Sequence, residues 1–377
     1  MFTKSVAIFT HFQNVADPRV DRKKLHSLFE MIVVALCSTI CGAQGWADIE
    51  RFGNSRIDWF RKFLVLENGI ASHDTFGRVF GLLDTQELMD CLQQWIASLQ
   101  LELQGQSIHI DGKTLRRSFD SATGRSALHV VSAWAGELRI CLGQVAVDDK
   151  SNEITAVPKL LELLELTGAV VTLDAMHCQK KTAAKIREQG ADYILQVKNN
   201  QPKLYRELEK IFHRYAEENY ESRACRVHRQ LERNRGRNEG RICIVAPAPA
   251  SLKRRRLWRD IQTVGMIYRH REVDGVASDA VSYFISSLAP KVRLHSKHIR
   301  SHWSVENTLH WSLDVTFAED SSRIRKGFAP EIASMFCRLA LTILQRDTTL
   351  KESIRGKRLI AGWNSKALTR ILTGNNA

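Results

Sequence analysis

The sequence predicts an α/β fold behind a helical N-terminal region, and three observations carry the prediction. Short apolar runs at 107–111 and 169–174 each close on an aspartate. Segments with helical spacing stand between such runs, and residues from Leu25 to about Leu101 keep helical spacing throughout.

In the N-terminal region Leu25, Leu28, Phe29, Ile32, Val33 and Leu36 recur at three and four residues, the stripe of an amphipathic helix. Met31 to Ala43 is the most apolar stretch, about a dozen residues interrupted by Ser38 and Thr39, whereas a membrane-spanning helix needs roughly 20. A buried helix is expected. Ser72 is placed to N-cap a helix from about Asp74 to Leu83, and Asp84 with Glu87 has capping-box spacing at the start of a helix through Trp95. Two short helices joined by a tight turn have the form of a DNA-reading helix-turn-helix, although most such pairs serve packing alone.

At Gln104-Gly105-Gln106 the pattern changes. Ser107 to Asp111 alternates as a strand, and Leu128 to Ala135 with Leu138 to Val147 reads as a hairpin. Ile154, Val157, Leu160, Leu161 and Leu164 mark a helix that Gly168 stops. A strand over Ala169 to Asp174, a helix over Cys178 to Gln189 closed by Gly190, a strand over Asp192 to Val197 and a helix over Leu204 to about Tyr215 follow. Between Arg223 and Arg259 twelve basic residues face Glu232 and Glu239 alone. Runs at Arg241 to Val245, Ile261 to Tyr268 and Ala280 to Ser286 predict a small inserted sheet there, and helices resume near Lys291. The expected domains are therefore 1–103, helical and a candidate for DNA-end binding; 104–222 and 291–350, two parts of one α/β layer; 223–290, a basic β-rich insertion; and 351–377, a basic tail.

Composition narrows the function. The 377 residues carry 55 Lys and Arg against 41 Asp and Glu, a net charge of +14, and such a surplus favours polyanionic partners, nucleic acid first. Hydrophobic content of 44% and charged content of 25% exclude long disorder and fibrous repeats. The eight cysteines include no Cys-x-x-Cys pair and read as buried reduced thiols; Cys37 and Cys41 at helical spacing are only two ligands for a metal. The N-terminus lacks the charged, apolar, small-residue order of a secretory signal, so a cytoplasmic protein is expected, with no membrane partner.

Asp111 and Asp174 both stand at strand C-terminal ends, where open α/β sheets place their active-site crevices. A single such aspartate often does no more than cap a turn. Two on adjacent strands bind a hard divalent cation through oxygen, and a third carboxylate completes a site for two ions. Glu306, in His302-Trp303-Ser304-Val305-Glu306-Asn307-Thr308-Leu309-His310-Trp311, is the candidate, with Glu319 and Asp320 next. On a helix, Val305, Leu309 and Leu313 form an apolar stripe and His302, Glu306, His310 and Asp314 a polar one beside it. The competing reading is an ordinary solvated face, with His302 and His310 satisfied by neighbours.

Taken together, Ile-Asp-Gly-Lys-Thr at 110–114, Leu-Asp-Ala-Met-His-Cys-Gln at 173–179 and the segment from His302 to Asp320 resemble the DDE transposases of bacterial insertion sequences, in particular the H-repeat-associated subgroup. The likeness runs from about Asp17 to beyond Arg346. It implies a ribonuclease-H-like catalytic domain, a mixed sheet flanked by helices, with a β-rich insertion between the second aspartate and the glutamate. It further implies Asp111, Asp174 and Glu306 as ligands of two Mg²⁺ ions, Mn²⁺ being the alternative, double-stranded DNA as the partner, and a homodimer or higher multimer on that DNA. Related transposases carry Tyr, Arg and Lys at places where this chain has Ile299, His302 and Leu313, which leaves open how donor-end phosphates are held and whether cleavage passes through a hairpin. Arg300 is the candidate substitute for that Arg. Lys113, Arg254, Arg255, Arg256 and Arg259 are the other candidate DNA contacts, and Trp258 either stacks on a splayed base or fills a core. Three activities fit: a transposase that cleaves element ends and joins the 3′-hydroxyl to target DNA, a metal-dependent nuclease that cuts without joining, and a DNA-binding relic that does neither.

Overall fold

The computed structural model describes residues 7–147, 152–221, 224–234, 237–273 and 275–374. Its contacts divide the chain into two compact units, 1–102 with 112–152 and 306–377, and 103–111 with 153–305.

The first unit is mainly helical. α1 (Ala7–Phe12), α2 (Leu28–Ile40), α3 (Trp46–Ser55), α4 (Ile57–Phe60), α5 (His73–Leu82) and α6 (Thr85–Ser98) come from the N-terminal region, and α11 (Ala329–Arg346), α12 (Ile354–Trp363) and α13 (Ser365–Gly374) from the C-terminal one. α2 is buried along most of its length, and Ser38 and Thr39 inside it return their hydroxyls to the carbonyls of Val34 and Ala35, so its polar groups are satisfied within the helix. It packs on α11. Ser72 caps α5 by accepting from Thr75 N–H, and Asp84 caps α6 by accepting from Gln86 N–H, as expected. Glu87 does not close the capping box: its carboxylate accepts instead from Ala16 N–H at 2.7 Å. The hairpin β2 (His129–Ala135) and β3 (Ile140–Val147) pairs antiparallel as predicted. Within this unit the sheet order is β3-β2-β1, since the last residues of β1 (Ser107–Thr114) belong here.

The second unit holds the other strands in the order β1-β4-β5-β9-β8-β7-β6. β1, β4 (Val170–Leu173) and β5 (Asp192–Val197) run parallel, joined through α7 (Glu153–Glu162) and α8 (Lys180–Glu188). Gly168 does not stop α7, which ends six residues earlier; it sits in the turn before β4 with φ +77°, donating to Gly190 and accepting from Gly105. The basic insertion forms β6 (Arg226–Asn234), β7 (Arg237–Pro247), β8 (Thr263–Val273) and β9 (Val276–Ser286), an antiparallel extension of the sheet rather than a separate small one. β9 pairs with β5, with Val197 opposite Tyr283, which makes the joint. Sequence reading saw only the more apolar parts of β7, β8 and β9 and missed β6 altogether; the outer half of β9 is exposed and lacks an apolar pattern. Arg223 and Arg235 lie outside the described residues.

Successive residues of β9 face opposite layers. Phe284 enters the core beneath α10 (Val292–His302) with Val170, Ile194, Cys243, Val245 and Ile267, while Tyr283 packs on α9 (Pro202–Glu217) through Tyr205 and Phe212. Gly265 on β8 makes room for the Phe284 ring: a Cβ there would fall 1.9 Å from its Cζ. Gly265→Ala is expected to cost about 1–3 kcal/mol through overpacking. A lowered urea midpoint would show it, and an unchanged midpoint would contradict this packing.

Candidate active site

The β1–β4 ladder ends on the pair Ile110–Leu173, so Asp111 and Asp174 are the next residues on two neighbouring parallel strands. Parallel strands lie about 4.8 Å apart, and two carboxylates are thus brought side by side at the C-terminal end of the ladder. β1 continues three residues beyond Asp111, past its pairing with β4, where sequence reading stopped the strand. Asp174 leaves β4 in extended backbone (φ −64°, ψ 163°) and leads into the 3₁₀ turn Ala175–His177. His177 is buried and bonds Glu153 at 3.0 Å, and Asn200 donates to Ala175 O, so the turn after Asp174 is fixed from two sides.

The Asp174 carboxylate itself is under-satisfied. Its Oδ1 is buried with no hydrogen-bond partner among the described residues. An anionic oxygen left this way is costly unless a cation meets it. Beneath it lies a polar chain that sequence reading did not assemble: His109 Nδ1 to Thr172 Oγ1 at 2.7 Å, and Thr172 Oγ1 to His302 Nδ1 at 3.0 Å. The threonine hydroxyl can donate to one imidazole and accept from the other. His109 and Thr172 were legible only as inward residues of two strands; His302 is satisfied by a neighbour, the plainer of the two readings for it. Beside this chain, His298 bonds Ser107 at 2.6 Å.

Glu306 belongs to the first unit, exposed at the start of two π-helical turns, Glu306–His310 and Ser312–Thr316. The predicted apolar stripe of Val305, Leu309 and Leu313 is buried. The helix predicted there is wider than an α-helix, and such π segments recur at functional positions. Glu319, a runner-up ligand, is instead an internal ion pair: its carboxylate meets Arg338 at 2.6 Å with both side chains 2% exposed. Asp320 is also engaged, by Lys113 at 2.9 Å and Arg116 at 3.3 Å. Among the described residues, no three His, Cys, Asp or Glu side chains converge as a ready-made metal cage.

Several candidate DNA contacts take other partners. Lys113 is buried and holds Asp314 at 2.5 Å as well as Asp320, an ion-paired strut within the first unit. Arg300 pairs with Glu232, and Arg254 with Glu207 at 3.3 Å. Arg255 donates to Ala248 O, Arg259 lies 3.8 Å from Asp260, and Arg256 is exposed with no ion-pair partner among the described residues. Trp258 is buried, which settles it as core. All eight cysteines are free thiols.

Burial pulls His109, His302 and His310 below the ordinary imidazole range. Desolvation, with His302 and His298 adding to it, pushes His109 down to about 3, and desolvation with Arg338 and Lys113 pushes His310 down to about 4. In the unfolded chain both titrate near 6.5. Between those values the unfolded state binds more protons, so stability is full above about 6.5 and falls as pH drops toward 4. Urea midpoints that decline from pH 7.5 to pH 5, with a shallower decline in His310→Gln, are expected; parallel declines in the two proteins would contradict the assignment.

A family model described as "Transposase DDE domain" matches residues 103–343, and one described as "DDE_Tnp_1-associated" matches 9–96. The chain belongs to the DDE transposase family. Its relatives place it in the H-repeat-associated subgroup. "H repeat-associated putative transposase YhhI" of Escherichia coli strain K12 is 35% identical over 373 residues, 98% of each chain. "Putative transposase YncI" of Escherichia coli O157:H7 is 35% identical over 370 residues, covering 97% of this chain and 94% of that one. A shorter match, 38% over 72 residues and 19% of this chain, is named "Inactive transposase YbfQ". The fold is the mixed sheet with flanking helices that the sequence motifs implied. No helix among the described residues is long and apolar enough to cross a membrane.

Proposed function

We propose that this protein cleaves phosphodiester bonds at the ends of an insertion sequence and joins the freed 3′-hydroxyl to target DNA. The observation that carries the reading is the pair of aspartates one register step beyond Ile110–Leu173, one with a buried oxygen that has no hydrogen-bond partner among the described residues. In this reading Asp111 and Asp174 hold divalent ions, Mg²⁺ or Mn²⁺, and Glu306 supplies the third carboxylate. Two such ions, when bound, activate the attacking oxygen and stabilise the leaving one in an in-line displacement. The chain's own contribution is positional. The β1–β4 ladder holds the aspartates side by side, the Glu153–His177 bond and Asn200 fix the turn behind Asp174, and the His109–Thr172–His302 chain supports the strand ends from below.

The exposed Arg256 and Arg259 are proposed phosphate contacts, with Arg254, Arg255 and Arg300 recruited only by leaving the partners they have here. Action in the cytoplasm, as a dimer or larger multimer on paired ends, belongs to the same reading. The test is a joining assay with pre-cut element ends and a plasmid target in Mg²⁺. Joined products from the wild-type protein, absent with Asp111→Asn, are expected. Nicks without joined products would replace this reading by a simple nuclease, and binding without either by an inactive relic.

A further inference from the structure

The first unit contains a cleft of about 1100 Å³ that the catalytic reading does not use. α3 and α5 form one wall and the segment 318–327 the other. Arg78 reaches it from α5, and Arg323, Arg325 and Lys326 from the facing segment. None of these four cations is ion-paired with a carboxylate among the described residues. Arg325 is held by other means, donating to Arg117 O at 3.1 Å with its guanidinium 4.8 Å above the Phe119 ring. Arg78, Arg323 and Lys326 are exposed.

Unpaired surface cations are common, but these are held in a built groove. Gly81 and Gly327 let the two walls meet backbone to backbone: a Cβ on Gly327, at φ +53°, would fall 2.1 Å from Gly81 O, and Phe328 N–H donates to that oxygen at 3.1 Å. The Trp46 ring forms part of the floor, packed on Phe80 at 5.2 Å. Three carboxylates line the cleft as well. Asp48 is already neutralised by Arg51 at 2.8 Å, Asp120 accepts Ala122 N–H, and Asp74 lies 3.7 Å from His73. Four cations lining the cleft with at most two unneutralised acids favour an extended polyanion over a small acid.

We infer that this cleft holds the sugar-phosphate backbone of a DNA strand through Arg78, Arg323 and Lys326, with Arg325 fixing its wall. The inference rests on the transposase reading for the identity of the polyanion. It adds a binding surface on the helical unit, apart from the β-rich insertion.

The test measures binding of the full chain to two labelled duplexes, one carrying an element end and one unrelated, over a series of salt concentrations. The variant is Arg78→Gln/Arg323→Gln/Lys326→Gln; Arg61→Gln/Lys62→Gln/Lys351→Gln removes the same charge from exposed positions outside the cleft. Each lost phosphate contact lowers the salt slope by about 0.9, so the cleft variant should lose nearly 3 from its slope and the control variant much less. A loss on both duplexes means contact with any DNA passing the cleft, and a loss on one assigns the cleft to element-end or to target DNA. Equal slopes for the two variants would overturn the cleft and leave the transposase reading standing. Failure of the wild-type protein to bind either duplex would overturn both.

Discussion

Asp174→Asn is expected to lower Mg²⁺-dependent cleavage of an element-end duplex by about 10³-fold or more, since losing a metal ligand removes several kcal/mol of transition-state stabilisation and each 1.36 kcal/mol is tenfold in rate. The same substitution should leave the metal-free protein as stable as the parent or more so. Asp174 Oδ1 is buried with no hydrogen-bond partner among the described residues, next in register to a second aspartate, and an amide there removes a charge from a buried position. Activity and stability thus move in opposite directions. A structural aspartate would show the reverse, with both falling together, and thermal unfolding in EDTA beside the cleavage assay separates the two cases.

The second large effect is in the core of the first unit. Arg338 and Glu319 are both 2% exposed, and Arg338 also meets Ser334 Oγ at 2.5 Å. Desolvation alone would lower the Arg338 pKa, yet the attraction of Glu319 leaves it raised. Arg338→Met strands a buried carboxylate and is expected to cost about 3–5 kcal/mol, whereas Arg338→Met with Glu319→Leu should recover most of it. Urea denaturation of the single and double variants gives the coupling. A double variant no more stable than the single one would show that the pair is not coupled.

Much of this protein was legible before its structure. The placement of Asp111 and Asp174 just past the β1–β4 pairing, the hairpin at 128–147 and the two helix caps follow from local patterns that tertiary packing did not override. What escaped were features set by partners distant in sequence. Nothing local marks Glu319 as the partner of Arg338, so a core ion pair passed for a spare metal ligand. Lys113 sits beside Asp111 in the motif, and its burial against Asp314 and Asp320 depends on a segment about 200 residues away. The Thr172 hydroxyl between two histidines required strands and helix together. The outer half of β9 is exposed throughout, so no buried face imposes period-two hydrophobicity there.

The claim on which the rest depends is that Glu306 joins the two aspartates in holding divalent ions. Titration of Mn²⁺ into the protein–DNA complex, followed by electron paramagnetic resonance, tests it most directly. Two bound ions are expected for the wild-type protein and at most one for Glu306→Gln at the same fold stability. The same stoichiometry and affinity in both would contradict it.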